Sequence, residues 1–348
     1  MADINYAPSQ FRLAISEEET FGTAITEQSK FYELDIINPT RLDLASGMIE
    51  DTRKRSDGSR ILSGTDTYRT TTGGMYVIPF ECIATRNTLD LLLYAAMQDI
   101  ISDGATTPYQ CEFEWDSGTT GPDFSTNAGK FLTVLGEDGT ANWSATSCVV
   151  RNLTLSASPG SNGGRLTASG EFVTGFDVDI TTVLATTASW VSPMTGTTDF
   201  FPFQAYQACT VGTNAIVPYS FSVTFNNNAV RVGHDTDGNA ANYYMGQFDL
   251  NMEIVAKLDA VTEPLVAKYR LSPMDGSAEE AVVMTWGSTG DTGYLNFAMN
   301  AVYDAPDNRD FGAESGVGVT LSYSGRATST VEAIEVSIAS GIDRDWVD

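Results

Sequence analysis

Two runs in this chain alternate between apolar and polar residues without a fault, and the pattern leaves little choice of backbone conformation. Tyr219, Phe221, Val223 and Phe225 are interleaved with Ser220, Ser222 and Thr224; further on, Phe248, Leu250, Met252 and Ile254 are interleaved with Gln247, Asp249, Asn251 and Glu253. Successive side chains of an extended strand point to opposite faces, so a period of two puts one set into a core and the other into water. Weaker runs of the same kind fall at 41–50, 75–83, 110–115, 131–135, 149–157, 166–173, 280–286, 294–302, 317–323 and 331–338, separated by turns rich in Gly, Asn and Asp. Roughly a dozen strands of this kind predict an all-β protein.

Only two segments read as helices. Asn87 can cap a run in which Leu89, Leu92, Leu93, Ala96, Met97 and Ile100 form one apolar face. Thr262 can cap a shorter run, with Pro264 tolerated in its first turn and Leu265, Val266 and Tyr269 inward. Each follows a strand directly and precedes several more. The order strand, long loop, strand, helix, strands therefore occurs twice, over about 31–180 and about 217–340, an internal repeat of pattern rather than of residues. The 348 residues have room for two domains. The pattern divides them into a first domain at 1–180, a linker or surface arm at 181–212 rich in Thr, Ser and aromatic residues, and a second domain at 213–348.

Charge limits the partners. Against 19 bases stand 45 acids, a net −26. Such a surface repels polyphosphate and argues against conventional DNA or RNA binding. It suits plain solubility, or a surface that must lie near nucleic acid without holding it. Cys82, Cys111, Cys148 and Cys209 show no CxxC spacing and read as buried small hydrophobes in a reducing compartment, with two disulfides as the alternative and no zinc site in prospect. The opening residues carry no basic stretch followed by an apolar run, so no signal peptide is expected. No apolar stretch approaches the ~18 residues of a membrane-crossing helix.

Catalysis finds no foothold. The single histidine, His234, has no partners that would assemble a nucleophilic triad. Asp235, Asp237 and Asn239 faintly resemble a calcium loop, but Gly246 stands where the EF-hand spacing wants a glutamate, so a polar turn is expected instead. Walker, HExxH and GxGxxG signatures are missing. No signal selects a carboxylate pair for glycoside hydrolysis. Trp115, Trp143, Trp190, Trp286 and Trp346 read as packing residues rather than a sugar platform. The expectation is a protein without catalytic residues, metal or cofactor.

One stretch runs against the acidity. Arg53, Lys54, Arg55, Arg60 and Arg69, 5 of the 19 bases, fall in a connection otherwise made of Ser, Gly, Asp and Thr. At about 24 residues, 51–74, it is far longer than a hairpin turn. It is either a solvated loop or an arm that docks on the acidic surface of another copy, in a head-to-tail contact with a fixed direction.

Together these features resemble the tail tube proteins of long-tailed phages, a fold shared with type VI secretion tubes. Glu19-Thr20-Phe21-Gly22-Thr23 is similar to the T-[FY]-G-T opening of one branch, and the order of strand, long loop at 51–74, returning strand, helix and further strands follows. Tandem copies occur in that family, where a duplicated subunit forms a trimeric ring that mimics a hexamer. The resemblance implies two tandem β-sandwich or partial-barrel domains, each flanked by one helix, with one sheet joining its neighbours to line a barrel around DNA. Arg53, Lys54, Arg55, Arg60 and Arg69 would form an inter-ring docking loop. Asp43, Glu81, Gln247, Asp249, Asn251 and Glu253, with Ser220, Ser222 and Thr224, would face the lumen, where acidity lets DNA slide. The implied partners are further copies of the chain (a homotrimeric pseudo-hexameric ring, alternatively a hexamer), the tape-measure, terminator and baseplate proteins of the tail, and DNA in passage, with no membrane; the implied place is the virion tail, assembled in host cytoplasm. The second repeat departs from the first: its loop, about 231–246, is shorter and carries one Arg and two Asp, so any docking there uses different chemistry.

Other readings remain. A capsid decoration or baseplate component shares the composition, as does an acidic carbohydrate-binding β-sandwich. An outer-membrane porin would need a signal peptide, lipid-facing alternation and aromatic girdles.

Overall fold

The alternating runs become antiparallel ladders throughout. The computed structural model describes residues 11–38, 49–50, 69–70, 74–98, 100, 102–103, 106–115, 130–137, 142–180, 190–193, 196, 199–246, 248–271, 279–303, 309–310, 318–327 and 331–344. In chain order the first half holds β1 (Arg12–Glu17), β2 (Tyr32–Glu33), β3 (Asp35–Ile36), β4 (Ile49–Glu50), β5 (Arg69–Thr70), β6 (Tyr76–Ile83), α1 (Arg86–Met97), β7 (Ser102–Asp103), β8 (Tyr109–Trp115), β9 (Leu132–Glu137), β10 (Asn142–Ala157) and β11 (Thr167–Thr174). The second half holds β12 (Tyr206–Val211), β13 (Asn214–Ala215), β14 (Pro218–Asn226), β15 (Val230–Val232), β16 (Asn242–Tyr244), β17 (Asp249–Lys257), α2 (Thr262–Leu271), β18 (Glu279–Trp286), β19 (Leu295–Tyr303), β20 (Arg309–Asp310), β21 (Gly318–Gly325) and β22 (Ile334–Ser340).

Seven strands of each half pair in the same order. In the first, β1 pairs with β2 and β9, β9 with β10, β10 with β11, β11 with β6, and β6 with β3. In the second, β12 pairs with β13 and β18, β18 with β19, β19 with β21, β21 with β17, and β17 with β14. In each half the long connection opens with a second short ladder, β4 with β5 and β15 with β16. Strand β20 runs along β21 beyond the end of β19. Strands β7, β8 and β22 have no counterpart; β22 bridges β19 to β8.

One joint unites the halves. Strand β10 pairs with β14 from Asn152↔Asn226 to Ala157↔Phe221. The main sheet thus runs β3-β6-β11-β10-β14-β17-β21 and is open, since no pairing among the described residues joins its ends. Strand β10 serves two sheets: its first residues pair with β9, and from Val149 on it pairs with β11, after a register shift between Ala145 and Cys148. Ser147, at φ 49°, makes that turn.

Beneath the main sheet lies one apolar core drawn from both halves, including Leu153, Phe172, Val223, Phe225, Met252, Ile254, Phe297 and Val336. Helix α1 packs against β1, β8, β10 and β22 and is buried almost all round, not along a single stripe. Its cap is Thr85, extended at φ −112°, whose carbonyl accepts the Leu89 N–H at 2.8 Å. Asn87, expected as the cap, sits inside the first turn, where its carbonyl accepts Arg344 Nη2 at 2.7 Å. Thr262 does act at the start of α2: its Oγ1 accepts the Asp259 N–H at 2.8 Å and donates to the Lys257 carbonyl at 2.8 Å. Leu265 and Val266 are buried as expected, while the Tyr269 side chain lies outside the described residues.

Some boundaries differ from expectation. Residues 206–211, assigned to a linker, form β12, with Cys209 and Val211 buried in the core. Strand β10 begins seven residues before the alternation does, because the small polar residues of 142–148 are held by partners distant in sequence. Of the expected strand at 41–50, only Ile49–Glu50 falls among the described residues. All four cysteines are buried and none is in a disulfide, and burial pushes the Cys209 thiol up to about 12.

Candidate functional site

Cross-strand pairing puts partners on the same face of a sheet, so register alone maps the outer surface of the main sheet. One row runs Glu81, Ser169, Thr154, Thr224, Asn251, Ser324 across β6, β11, β10, β14, β17 and β21. The row beside it runs Pro79, Glu171, Asn152, Asn226, Asp249. On the other side lie Thr167, Ser156, Ser222, Glu253 and Ser322. At ~4.8 Å per strand this polar face is about 25 Å wide.

Hydrogen bonds knit it together. Thr154 and Thr224 hydroxyls meet at 3.0 Å across the joint between halves, and Ser156 and Thr167 hydroxyls meet at 3.0 Å. Ser324 Oγ donates to Asn251 Oδ1 at 3.3 Å, and Asn228 Nδ2 donates to Asp249 Oδ2 at 3.2 Å. Glu81 accepts from Asn38, and Glu171 is bound by Arg151 at 2.5 Å. Asp249, Asn251 and Glu253 alternate as exposed residues with buried Leu250, Met252 and Ile254. The acids of this face are Glu81, Glu171, Asp249 and Glu253; its bases include Arg151, the terminal Lys257 and Arg165, which lies beside Ser156, Thr167 and Glu253.

Of the residues singled out from sequence, Glu81, Asp249, Asn251, Glu253, Ser220, Ser222 and Thr224 come together on this one surface. Asp43, Gln247, Arg53, Lys54, Arg55 and Arg60 lie outside the described residues, as does the side chain of Arg69, whose backbone pairs with Glu50. Sequence reasoning passed over Asn152, Thr154, Ser156, Ser169 and Glu171. The alternation in 149–157 marks the first three, but Gly170 beside Ser169 and Glu171 blurs the pattern there.

At one end of the sheet the second half's long connection folds onto the first half of its own chain. Phe21 packs against Phe131, Phe176 and Tyr243 at ring-centre distances of 4.8, 5.2 and 5.7 Å. Tyr243, on β16, accepts the Gly175 N–H at its hydroxyl at 2.8 Å. Ala240 N–H donates to the Gly175 carbonyl at 2.9 Å, and Arg231 Nη1 to the Gly74 carbonyl at 3.3 Å. The Glu19–Thr23 stretch is part of this seat: Gly22, at φ +77°, where a side chain would be strained and would press on Phe176, donates its N–H to Ser147 Oγ at 2.7 Å. At the loop tip the Asp235 carboxylate accepts the N–H groups of Asp237 and Asn239 at 2.9 and 2.8 Å, which makes it a turn former.

Among the described residues no helix is long and apolar enough to cross a membrane. The sequence matches the family described as "Phage tail tube protein" over residues 9–328. No curated protein matches it.

Proposed function

Since the chain belongs to the phage tail tube protein family and is thus a structural component of the virion tail, we propose that it is a tandem-duplicated tube subunit whose polar sheet lines a hollow, acidic bore for DNA. The joint between β10 and β14 carries this reading. By its partners, β14 corresponds to β3, and the part of β10 that holds it corresponds to β20 and the end of β19. The joint inside the chain is therefore a template for one between chains, with the β20 edge of one copy meeting β3 of the next.

A contact of that kind uses different surfaces on the two partners and closes into a ring when its rotation divides a full turn. Closure also removes the sheet edges that invite aggregation. With two repeats per chain, three chains supply six repeats around the ring; a ring of six chains is the alternative. Glu81, Asp249, Asn251 and Glu253 then face inward together with Asp43 and Gln247, and fixed negative charge keeps phosphates from settling on the wall. The arm bearing Arg53, Lys54, Arg55, Arg60 and Arg69 docks on the acidic surface of a copy in the adjacent ring.

Electron microscopy of the purified protein at high concentration, with ring mass from native mass spectrometry, tests this directly. Rings of three chains with a six-lobed outline are expected, along with hollow rods of uniform width. A species that stays monomeric as concentration rises would remove the proposal.

A further inference from the structure

The turn that joins β10 to β11 sits where the two halves of the main sheet meet. Ser161 N–H donates to the Ser158 carbonyl at 3.4 Å, and Gly164 N–H to the Ser161 carbonyl at 2.7 Å. Just past the turn, Arg165 is held by the segment that precedes β12. Its backbone bridges to Pro202, and its guanidinium lies over the Phe200 ring at 4.4 Å. One face of that planar group is therefore taken, while its N–H edge makes no hydrogen bond or ion pair among the described residues.

Beside it a hollow of about 210 Å³ opens on the polar face of the main sheet, across β10 and β14. Arg165 stands in its wall with Ser158, Ser161, Ser220, Ser222 and Glu253. Ser156 and Thr167 also reach the hollow, but their hydroxyls bond each other at 3.0 Å. The hydroxyls of Ser158, Ser161, Ser220 and Ser222 have no hydrogen-bond partner among the described residues. Arg165 and Glu253 share the hollow without forming an ion pair across it.

A guanidinium presents its N–H groups as a rigid fork that matches the oxygens of a phosphate, and a hydroxyl turns to donate where an acceptor lies. Stacking on Phe200 fixes the fork before anything binds, which lowers the entropy lost on contact. Arg with Ser and Thr hydroxyls is the donor set that meets nucleic-acid phosphates without reading sequence. Glu253 sets the strength. Its carboxylate repels the anion that Arg165 attracts, and the chain's net −26 adds to that repulsion at longer range. A phosphate is met here but not kept.

We propose that the hollow between Arg165 and Glu253 is a weak phosphate site, visited in turn by the backbone phosphates of DNA as it moves along the bore. The occupant rests on the tube reading above; the oxyanion site rests on the hollow alone.

The test uses the purified chain below the concentration at which it assembles, at low ionic strength. NMR follows the Arg165 Nε–H and the backbone amides of Ser161 and Ser222 as three probes are added separately: inorganic phosphate, a thymidine dinucleotide with a single phosphodiester, and acetate. Saturable shifts are expected from phosphate and dinucleotide, fading as salt rises, with acetate the weakest. Arg165→Gln should weaken dinucleotide binding by about tenfold or more, and Glu253→Gln should tighten it; thermal melting confirms that both variants fold. A dinucleotide that binds wild type and both variants alike, or binds none of them, would overturn the phosphate site and leave the tube reading in place. Binding of inorganic phosphate alone would overturn DNA as the occupant, and acetate binding more tightly than the dinucleotide would replace it with a protein carboxylate. If the concentrated wild-type chain forms neither rings nor rods while the dinucleotide still shifts Arg165, passage along a bore is overturned and the oxyanion site stands.

Discussion

Glu18 buries its carboxyl group where β10 changes sheets. Its Oε1 accepts from Thr133 Oγ1 at 2.6 Å and Ser147 N–H at 2.7 Å, and its Oε2 accepts from Ser147 Oγ at 2.7 Å. Burial pushes the group up to about 7, against the opposing pull of those three donors. A carboxyl group raised in this way favours the folded state when protonated. Its contribution is complete below the unfolded value of 4.5 and is lost as pH rises through 7, a change of about 3 kcal/mol across that span. Melting temperature should therefore fall between pH 5 and pH 8 more steeply in the wild type than in Glu18→Gln, whose amide stays neutral. Parallel slopes would show that Glu18 does not titrate in this range. Nothing in the sequence marks this residue: Glu18 is one acid in the run Glu17-Glu18-Glu19, and only the distant Thr133 and Ser147 distinguish it from its neighbours.

Elements were legible where one face is wet and the other dry. Strands β14 and β17 emerged close to their predicted limits because the alternation has no exception, and β6, β8, β18 and β19 followed for the same reason. Strand β12 hid in a stretch rich in small and aromatic residues, and α1 was found but given a single apolar face, where Asn87–Met97 are all buried. Its burial depends on the far end of the chain. Asp90, fully buried on α1, accepts Arg344 Nε at 2.7 Å and Ser340 Oγ at 2.8 Å, and Arg344 also lies over the Tyr32 ring at 4.2 Å. Arg344→Met leaves the Asp90 carboxylate without its cation in the core and should cost about 3–5 kcal/mol in chemical denaturation. Asp90→Leu together with Arg344→Met removes both charges and should recover most of that loss. If the double variant is as unstable as the single one, the ion pair is not what fastens the chain end to the helix.

At the scale of the whole molecule, the order of elements and the polar face could be read from strand pattern, since both follow from local alternation. The joint between β10 and β14 could not, because pairing partners across the sheet leave no mark in either strand alone. The face it completes makes a direct prediction. Asp249→Lys with Glu253→Lys alters only exposed side chains, so tails carrying the variant should assemble with normal length and width, while genome delivery measured in single infections slows or stalls. Unimpaired delivery would place these residues away from the DNA path. That same joint has a kinetic consequence. Tethering two strands in one polypeptide turns what would be an encounter between separate molecules into an internal event at a local concentration set by the tether. In the proposed ring of three chains, half of the six joints would be complete before any two chains meet. The tethered parts are also released from having to be identical, so in that ring the two halves could carry connections as unlike in length and charge as 51–74 and 231–246.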